Sequence, residues 1–188
     1  MSSPAATDEA LLQTIARGDR DAMHTLFARH RIKVFRFLQR IVRNESTAED
    51  LAGEVFLDVW RNAARFEGRA AVATWILAIA RFKALSTLRR RRECALDETA
   101  AGLIEDNTAS PESALVTKHN GEILRTCLNK LSYDHREVID LVYYHEKSID
   151  EVAQIVNVPV NTVKTRMFYA RKRLAHELKQ VGLQREFV

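Results

Sequence analysis

Apolar residues recur along most of this chain at helical spacing, and period-two alternation is nearly absent. That pattern predicts an all-α protein. Thr7-Asp8 can cap a first helix that carries Leu11, Leu12 and Ile15 and stops near Gly18. A second helix is expected from about Asp21 to Arg43, with Met23, Leu26, Phe27, Val34, Phe35, Leu38, Ile41 and Val42 on its apolar face. Asn44-Glu45 breaks the pattern, and Ser46-Thr47 with Glu49 and Asp50 reads as a capping box for a third helix, Ala48 to Phe66. Leu51, Val55, Val59 and Phe66 form its inner stripe, flanked by Ala52, Phe56 and Ala63. Leu57 falls on the opposite side, among Asp50, Glu54, Arg61 and Arg65, with Trp60 at the border. Exposed Leu and Trp beside charges suit a protein-binding face, although single exposed apolar residues are ordinary.

A turn at Glu67-Gly68 precedes a fourth helix, about Ala71 to Arg92, with Trp75, Ile76, Ile79 and Leu88 expected in the core. It ends in Arg89, Arg90, Arg91 and Arg92. Cations there complement the helix dipole, but four in a row exceed what capping requires and suit phosphate. The stretch from Glu93 to Thr117 then contains acids and no Lys or Arg, with Ser110-Pro111 interrupting any helix. It reads as an acidic, flexible linker at 94–117 between domains at 1–93 and 118–188.

In the second domain Ile123, Leu124, Cys127, Leu128 and Leu131 share helical spacing. Ser132 can cap the next helix, with Val138, Ile139, Leu141 and Val142 inward. Ser148 and Glu151 form a capping box for a short helix with Val152, Ile155 and Val156, and Asn157-Val158-Pro159 makes a turn. Val160, Val163, Met167, Ala170, Leu174 and Leu178 then form one narrow stripe of a last helix. Its other side carries Asn161, Thr162, Thr165, Phe168, Tyr169 and Lys172, with Lys164 and Arg166 at the flanks. Two short helices joined by a tight turn, the second basic, are the layout of a helix-turn-helix. Such side chains reach base edges, thymine methyls and phosphates.

Net charge adds to this picture through its distribution. The chain of 188 residues carries +4 overall. Between Val160 and Lys179, Lys164, Arg166, Arg171, Lys172, Arg173 and Lys179 stand against the one acid Glu177. The N-terminal residues lack a basic-then-apolar leader and no run reaches membrane-span length, so a soluble, cytoplasmic protein is expected. Cys94 and Cys127 do not make a disulfide framework, and with His119 they fit no zinc spacing. No phosphate loop, paired carboxylate or nucleophile motif points to an enzyme, and no cofactor or metal is expected. A stand-alone helix-turn-helix regulator with a sensory first domain would need a ligand pocket or dimerisation helix in residues 1–95. The sequence offers instead two basic regions and the Leu57/Trp60 face.

Three motifs resemble one family. They are Ala48-Glu-Asp-Leu-Ala-Gly-Glu-Val-Phe-Leu-Asp-Val-Trp60; Thr74-Trp-Ile-Leu-Ala-Ile-Ala-Arg81 with the arginine run; and Arg136-Glu-Val with Val158 to Arg166 and Ala170 to Leu174. In this order, across an acidic linker, the chain resembles a bacterial extracytoplasmic-function (ECF) sigma factor, a two-domain specificity subunit of RNA polymerase. The resemblance implies a polymerase contact through Glu54, Leu57, Asp58, Trp60 and Arg61, on the clamp helices of the largest subunit, and a second contact at the flap. It implies minus-10 promoter recognition and melting by Arg69, Trp75, Arg81, Phe82, Lys83, Arg89, Arg90, Arg91 and Arg92. It implies minus-35 recognition by Asn161, Thr162, Lys164, Thr165, Arg166, Phe168, Tyr169, Arg171 and Lys172.

It also implies a linker threaded toward the RNA exit path, an anti-sigma partner, and a monomer within the holoenzyme. Such a protein acts in the cytoplasm at the nucleoid, or tethered to a membrane through the anti-sigma factor without inserting itself. The chain departs from the family pattern at several positions. Gly53 stands for the usual Gln, Phe82 for Asn, Ser86 for Asp, Ser132 for Pro and Glu146-Lys147 for Gly-Leu.

Overall fold

The computed structural model describes the backbone of residues 6–97 and 115–181, and the side chains of residues 6–93 and 121–181. Helix is the only regular structure among the described residues, which form two compact units, Met1–Asn107 and Thr108–Val188. The two units are two helical domains.

In the first domain α1 (Asp8–Ile15), α2 (Arg20–Val42), α3 (Glu45–Asn62) and α4 (Val72–Asp97) pack around one core. Thr7 caps α1 as the sequence predicts, its hydroxyl accepting from the Ala10 amide, and Gly18 supplies the left-handed turn after it (φ 91°). Asp8 fastens α1 to α2 by accepting from Arg29 at 2.9 Å and meeting His30 Nε2 at 2.6 Å. The inner face of α2 is Val34, Phe37, Leu38 and Ile41. Phe37 is fully buried, whereas the expected Phe35 is only half-buried. The reason is angular. Phe37 lies three residues beyond Val34 and four before Ile41, and Phe35 is turned about 100° from Val34.

Helix α3 starts three residues earlier than its predicted first residue. Asn44, not Ser46 or Thr47, is its cap, with Oδ1 accepting from the Thr47 amide at 2.8 Å. Asn is among the strongest N-caps, and its carboxamide reaches the amide that the Ser-Thr pair was expected to leave outside the helix. The helix ends at Asn62 and passes into a 3-10 turn, Ala63–Arg65, so Phe66 lies beyond it. Phe27 and Phe56 meet edge to face at 4.8 Å, joining α2 to α3.

Helix α4 buries Val72, Ile76, Leu77, Ala80 and Ala84, while Trp75, Ile79 and Leu88 are half-buried. The small Ala80 and Ala84 occupy the inner row, where a large side chain would hold the neighbouring helices apart. Helix continues through Cys94 to Asp97, since no Gly or Pro follows Arg92 to stop it. The next helix, α5, begins at Leu115, so helix takes up both ends of the expected linker. The remainder of that linker, residues 98–114, lies outside the described residues.

In the second domain α5 (Leu115–Asn129), α6 (Tyr133–Ile139), α7 (Ile149–Val156) and α8 (Val160–Gln180) enclose Cys127, Leu131, Val138, Leu141, Val152, Val163 and Met167. Leu124, expected inward, is exposed. Ser132 caps α6 as expected, and a π turn, Asp140–Tyr144, follows α6. After it Glu146 adopts φ 53°, a left-handed conformation that disfavours side chains. The family resemblance of the sequence leads one to expect Gly at this position.

One buried carboxylate ties the turn after α5 to α8. Glu177 is buried, accepts from Lys130 at 2.8 Å and pairs with Arg173 at 2.8 Å. The Lys130 hydrogen bond holds the Glu177 carboxyl below its ordinary range, and Glu177 in turn holds Lys130 above its own. A carboxylate depressed on folding stabilises the domain above its unfolded pKa, about 4.3, and loses that contribution as pH falls through the lower folded value. The thermal unfolding midpoint followed by circular dichroism should therefore fall below about pH 4.3. Glu177→Gln should remove part of that decline; an unchanged acid profile would show that Glu177 is not one of the responsible groups.

Candidate nucleic-acid interface

The helix-turn-helix is built by local rules. Ser148 and Glu151 satisfy each other's amides at the start of α7, at 3.2 and 2.9 Å. The helix ends at Asn157, whose φ of 54° turns the chain while its amide bonds to the Ala153 carbonyl. Pro159 then precedes α8, and its carbonyl accepts from Thr162 at 2.9 Å and Val163 at 3.2 Å. Val163, Met167 and Ala170 point into the core with Val152, Ile155 and Val156 of α7. With that stripe fixed, the opposite side of α8 must face outward.

That side exposes Asn161, Lys164, Thr165, Phe168, Tyr169, Arg171 and Lys172, with Thr162 half-buried. The Thr165 hydroxyl donates to the Asn161 carbonyl at 2.9 Å, leaving its oxygen lone pairs available to a base donor. Phe168 and Tyr169 meet edge to face with centroids 5.4 Å apart and are each more than half exposed. Two adjacent aromatics held outward on a basic helix offer apolar surface for thymine methyls between cations for phosphate.

Arg166 differs from its neighbours. It bonds Asp134 at 2.7 Å, so its guanidinium orients α8 on α6. Its place at the flank of the helix turns it toward that neighbour. Tyr143, outside the predicted interface, is 62% exposed and lies 5.9 Å beneath the Arg171 guanidinium. Its only sequence signal is an aromatic following the apolar run Leu141-Val142.

The first domain carries two more of the predicted surfaces. On α3, Glu54, Leu57 and Arg61 are exposed, Leu57 to 53%, and Asp58 and Trp60 are half-buried. On α4, Phe82 is 73% exposed, the most open large apolar side chain among the described residues. Arg69 is exposed and pairs with Glu67 in the loop before α4. Trp75 rests on Phe66 at 5.2 Å, and Arg81 is half-buried. Arg89, Arg90, Arg91 and Arg92 are all exposed; Arg91 donates to Thr47 Oγ1 at 2.8 Å, and Arg89 lies 3.9 Å from Glu93.

Lys83 stands apart from the other α4 cations. Its ammonium lies 2.9 Å from Asp58 and 3.2 Å from Glu54. Burial lowers its proton affinity, but the hydrogen bonds it donates to Asp58 and Glu54 outweigh that and hold it above the ordinary lysine range. Two side chains expected on one surface thus grip a third expected on another.

Among the described residues no group of His, Cys, Asp and Glu could hold a metal ion, and no helix is long and apolar enough to cross a membrane. Cys127 is a buried free thiol. Residues 26–94 match the family model for sigma-70 region 2, and residues 121–174 match the model for sigma-70 region 4. The RNA polymerase sigma factor CarQ of Myxococcus xanthus is 31% identical over 170 residues, covering 89% of this chain and 95% of CarQ. This chain belongs to the ECF sigma factors. The ECF sigma factor SigW of Bacillus subtilis is 28% identical to it over 180 residues, covering 90% of this chain and 96% of SigW.

Among solved structures, the sigma factor resembles RpoE of Bartonella quintana, crystallised in complex with the anti-sigma factor NepR. That likeness has a TM-score of 0.72 at 25% identity, covering 86% of this chain and 98% of the other. As a sigma factor it is a DNA-binding transcription-initiation factor. The first domain corresponds to region 2 and the second to region 4.

Proposed function

We propose that this sigma factor recruits core RNA polymerase through the outer face of α3 and reads a promoter with both domains. Glu54, Leu57, Asp58, Trp60 and Arg61 dock on the clamp helices of the largest subunit, and the second domain meets the flap. Phe82, with Arg69, Trp75, Arg81, Lys83 and the arginines 89 to 92, engages the minus-10 element as its strands part. An exposed aromatic at residue 82 favours stacking on an unpaired base over hydrogen bonding to its edge. Asn161, Thr162, Lys164, Thr165, Phe168, Tyr169, Arg171 and Lys172 read the minus-35 element, with Arg166 orienting α8.

The observation that carries this reading is the coexistence, in one member of the family, of the outward basic and aromatic face of α8 with a second basic helix displaying Phe82. Two weak DNA contacts held together by polymerase raise each other's effective concentration, so neither must bind tightly alone. The sigma factor catalyses nothing itself and needs no cofactor. It enters the holoenzyme as a monomer, in the cytoplasm, where polymerase and promoters are. The likeness to a sigma factor held by an anti-sigma factor supports a dedicated anti-sigma partner here, one that covers the polymerase-binding faces.

The test begins with DNA recovered on polymerase that carries this chain. Transcription reconstituted on that DNA should start at one discrete position with core polymerase plus the sigma factor, and not with core alone. Starts scattered equally in both reactions would overturn the proposal.

A further inference from the structure

From the contact among Lys83, Glu54 and Asp58 we infer that α3 and α4 form an autoinhibitory latch, in which the carboxylates of the polymerase-binding face mask a DNA-binding cation until polymerase takes them. The inference rests on the assignment of α3 to polymerase and α4 to promoter DNA. Glu54 and Asp58 are four residues apart on α3, so both point to one side, with exposed Leu57 beside them. Lys83 approaches from α4 and bonds both, at 3.2 and 2.9 Å, leaving its side chain 18% exposed. Its neighbours toward the C-terminus, Arg89 to Arg92, are exposed. The latch therefore withholds one of the two cations flanking Phe82 from phosphate while Arg89 to Arg92 stay exposed.

The contact couples two binding events. A partner that pairs its own cations with Glu54 and Asp58 frees the Lys83 ammonium for DNA. Phosphate drawn to Lys83 frees the carboxylates in return. Linkage makes the coupling reciprocal, so polymerase and minus-10 DNA strengthen each other's binding to the sigma factor. Without polymerase, two anionic groups lie beside the DNA-contacting helix and repel the strand.

The test uses the full chain without polymerase and a fluorescent single-stranded oligonucleotide of mixed sequence, titrated at low salt. Glu54→Gln with Asp58→Asn should bind it about threefold more tightly or better, as expected when a partly exposed ion pair no longer competes. The salt dependence should steepen by about 0.7 in log–log slope, one added phosphate contact on a single strand. Adding Lys83→Met to the double variant should abolish the gain. Glu49→Gln with Asp50→Asn, the same charge change at exposed positions earlier on α3, should give less than half of the gain. All five substitutions keep the side chain close to its original size, and thermal unfolding verifies that each variant chain is folded.

Equal gains from the two double variants, a gain that survives Lys83→Met, or no gain at all would overturn the latch. A chain that starts transcription with core polymerase yet shows no latch gain leaves the functional assignment standing and removes only the latch. A chain that starts no transcription removes the assignment itself.

Discussion

Replacing Leu57 with Asp and Trp60 with Ala should abolish binding of core RNA polymerase while both domains stay folded. Leu57 is more than half exposed on α3, so a carboxylate there meets water in the free protein and costs little fold stability. In the complex it would be pressed against whatever apolar surface Leu57 fills. Aromatic and aliphatic anchors at the centre of an interface are each worth about 2 kcal/mol or more, and Trp is prominent among them. Losing both, with a buried unpaired charge added, should weaken binding by roughly a thousandfold or more. Trp60 is half-buried, so circular dichroism must accompany the binding measurement. Unchanged affinity in a folded variant would mean that the α3 face does not dock polymerase.

Lys164→Ala should cost about 1–3 kcal/mol of discrimination at one base pair of the minus-35 element. Lys164 is exposed in the second turn of α8, the end of a recognition helix that meets base edges. The measurement is binding or transcription across promoter variants carrying each alternative base pair in turn. A loss confined to one position identifies a base contact. An equal loss at every position makes Lys164 a phosphate contact and leaves readout to Asn161, Thr165, Phe168 and Tyr169.

The α8 face was legible because its inner stripe, Val163, Met167, Ala170 and Leu178, is narrow and the opposite side is polar or basic apart from Phe168 and Tyr169. The wheel then leaves one possible outward face. The capping box at Ser148 was legible for the same local reason, since its partners are three residues apart. Helix α4 was harder. Its first half is apolar nearly all round, so hydrophobicity does not choose the buried face; Ala80 and Ala84 lie inward by allowing close approach, and Ile79 and Leu88 lie further out. On α2 the same spacing argument points to Phe37 over Phe35 once Val34, Leu38 and Ile41 are taken together.

What no local pattern could supply was the pairing of distant charges. Lys83 lies 25 residues beyond Asp58 in sequence, and Arg166 lies 32 beyond Asp134. Basic residues on two predicted DNA-facing helices look equivalent until the packing brings particular carboxylates within 3 Å of particular cations. The structure thus separates Arg166, engaged on α6, and Lys83, engaged on α3, from Lys164 and Lys172, which project outward. The turn before α7 is a similar case. A Glu at residue 146 does not by itself signal the left-handed backbone found there; the one signal is that it stands where the resembled family carries Gly.

On the proposed function, this chain confers promoter choice on polymerase and does not choose DNA by itself. The most direct measurement titrates one recovered promoter fragment with the chain alone, with core polymerase alone, and with the two together, at a single salt concentration. Only the mixture should form a tight complex that distinguishes the promoter from a scrambled fragment of equal length. Tight and sequence-specific binding by the chain alone, unaltered by core polymerase, would mean that the chain selects promoters without polymerase.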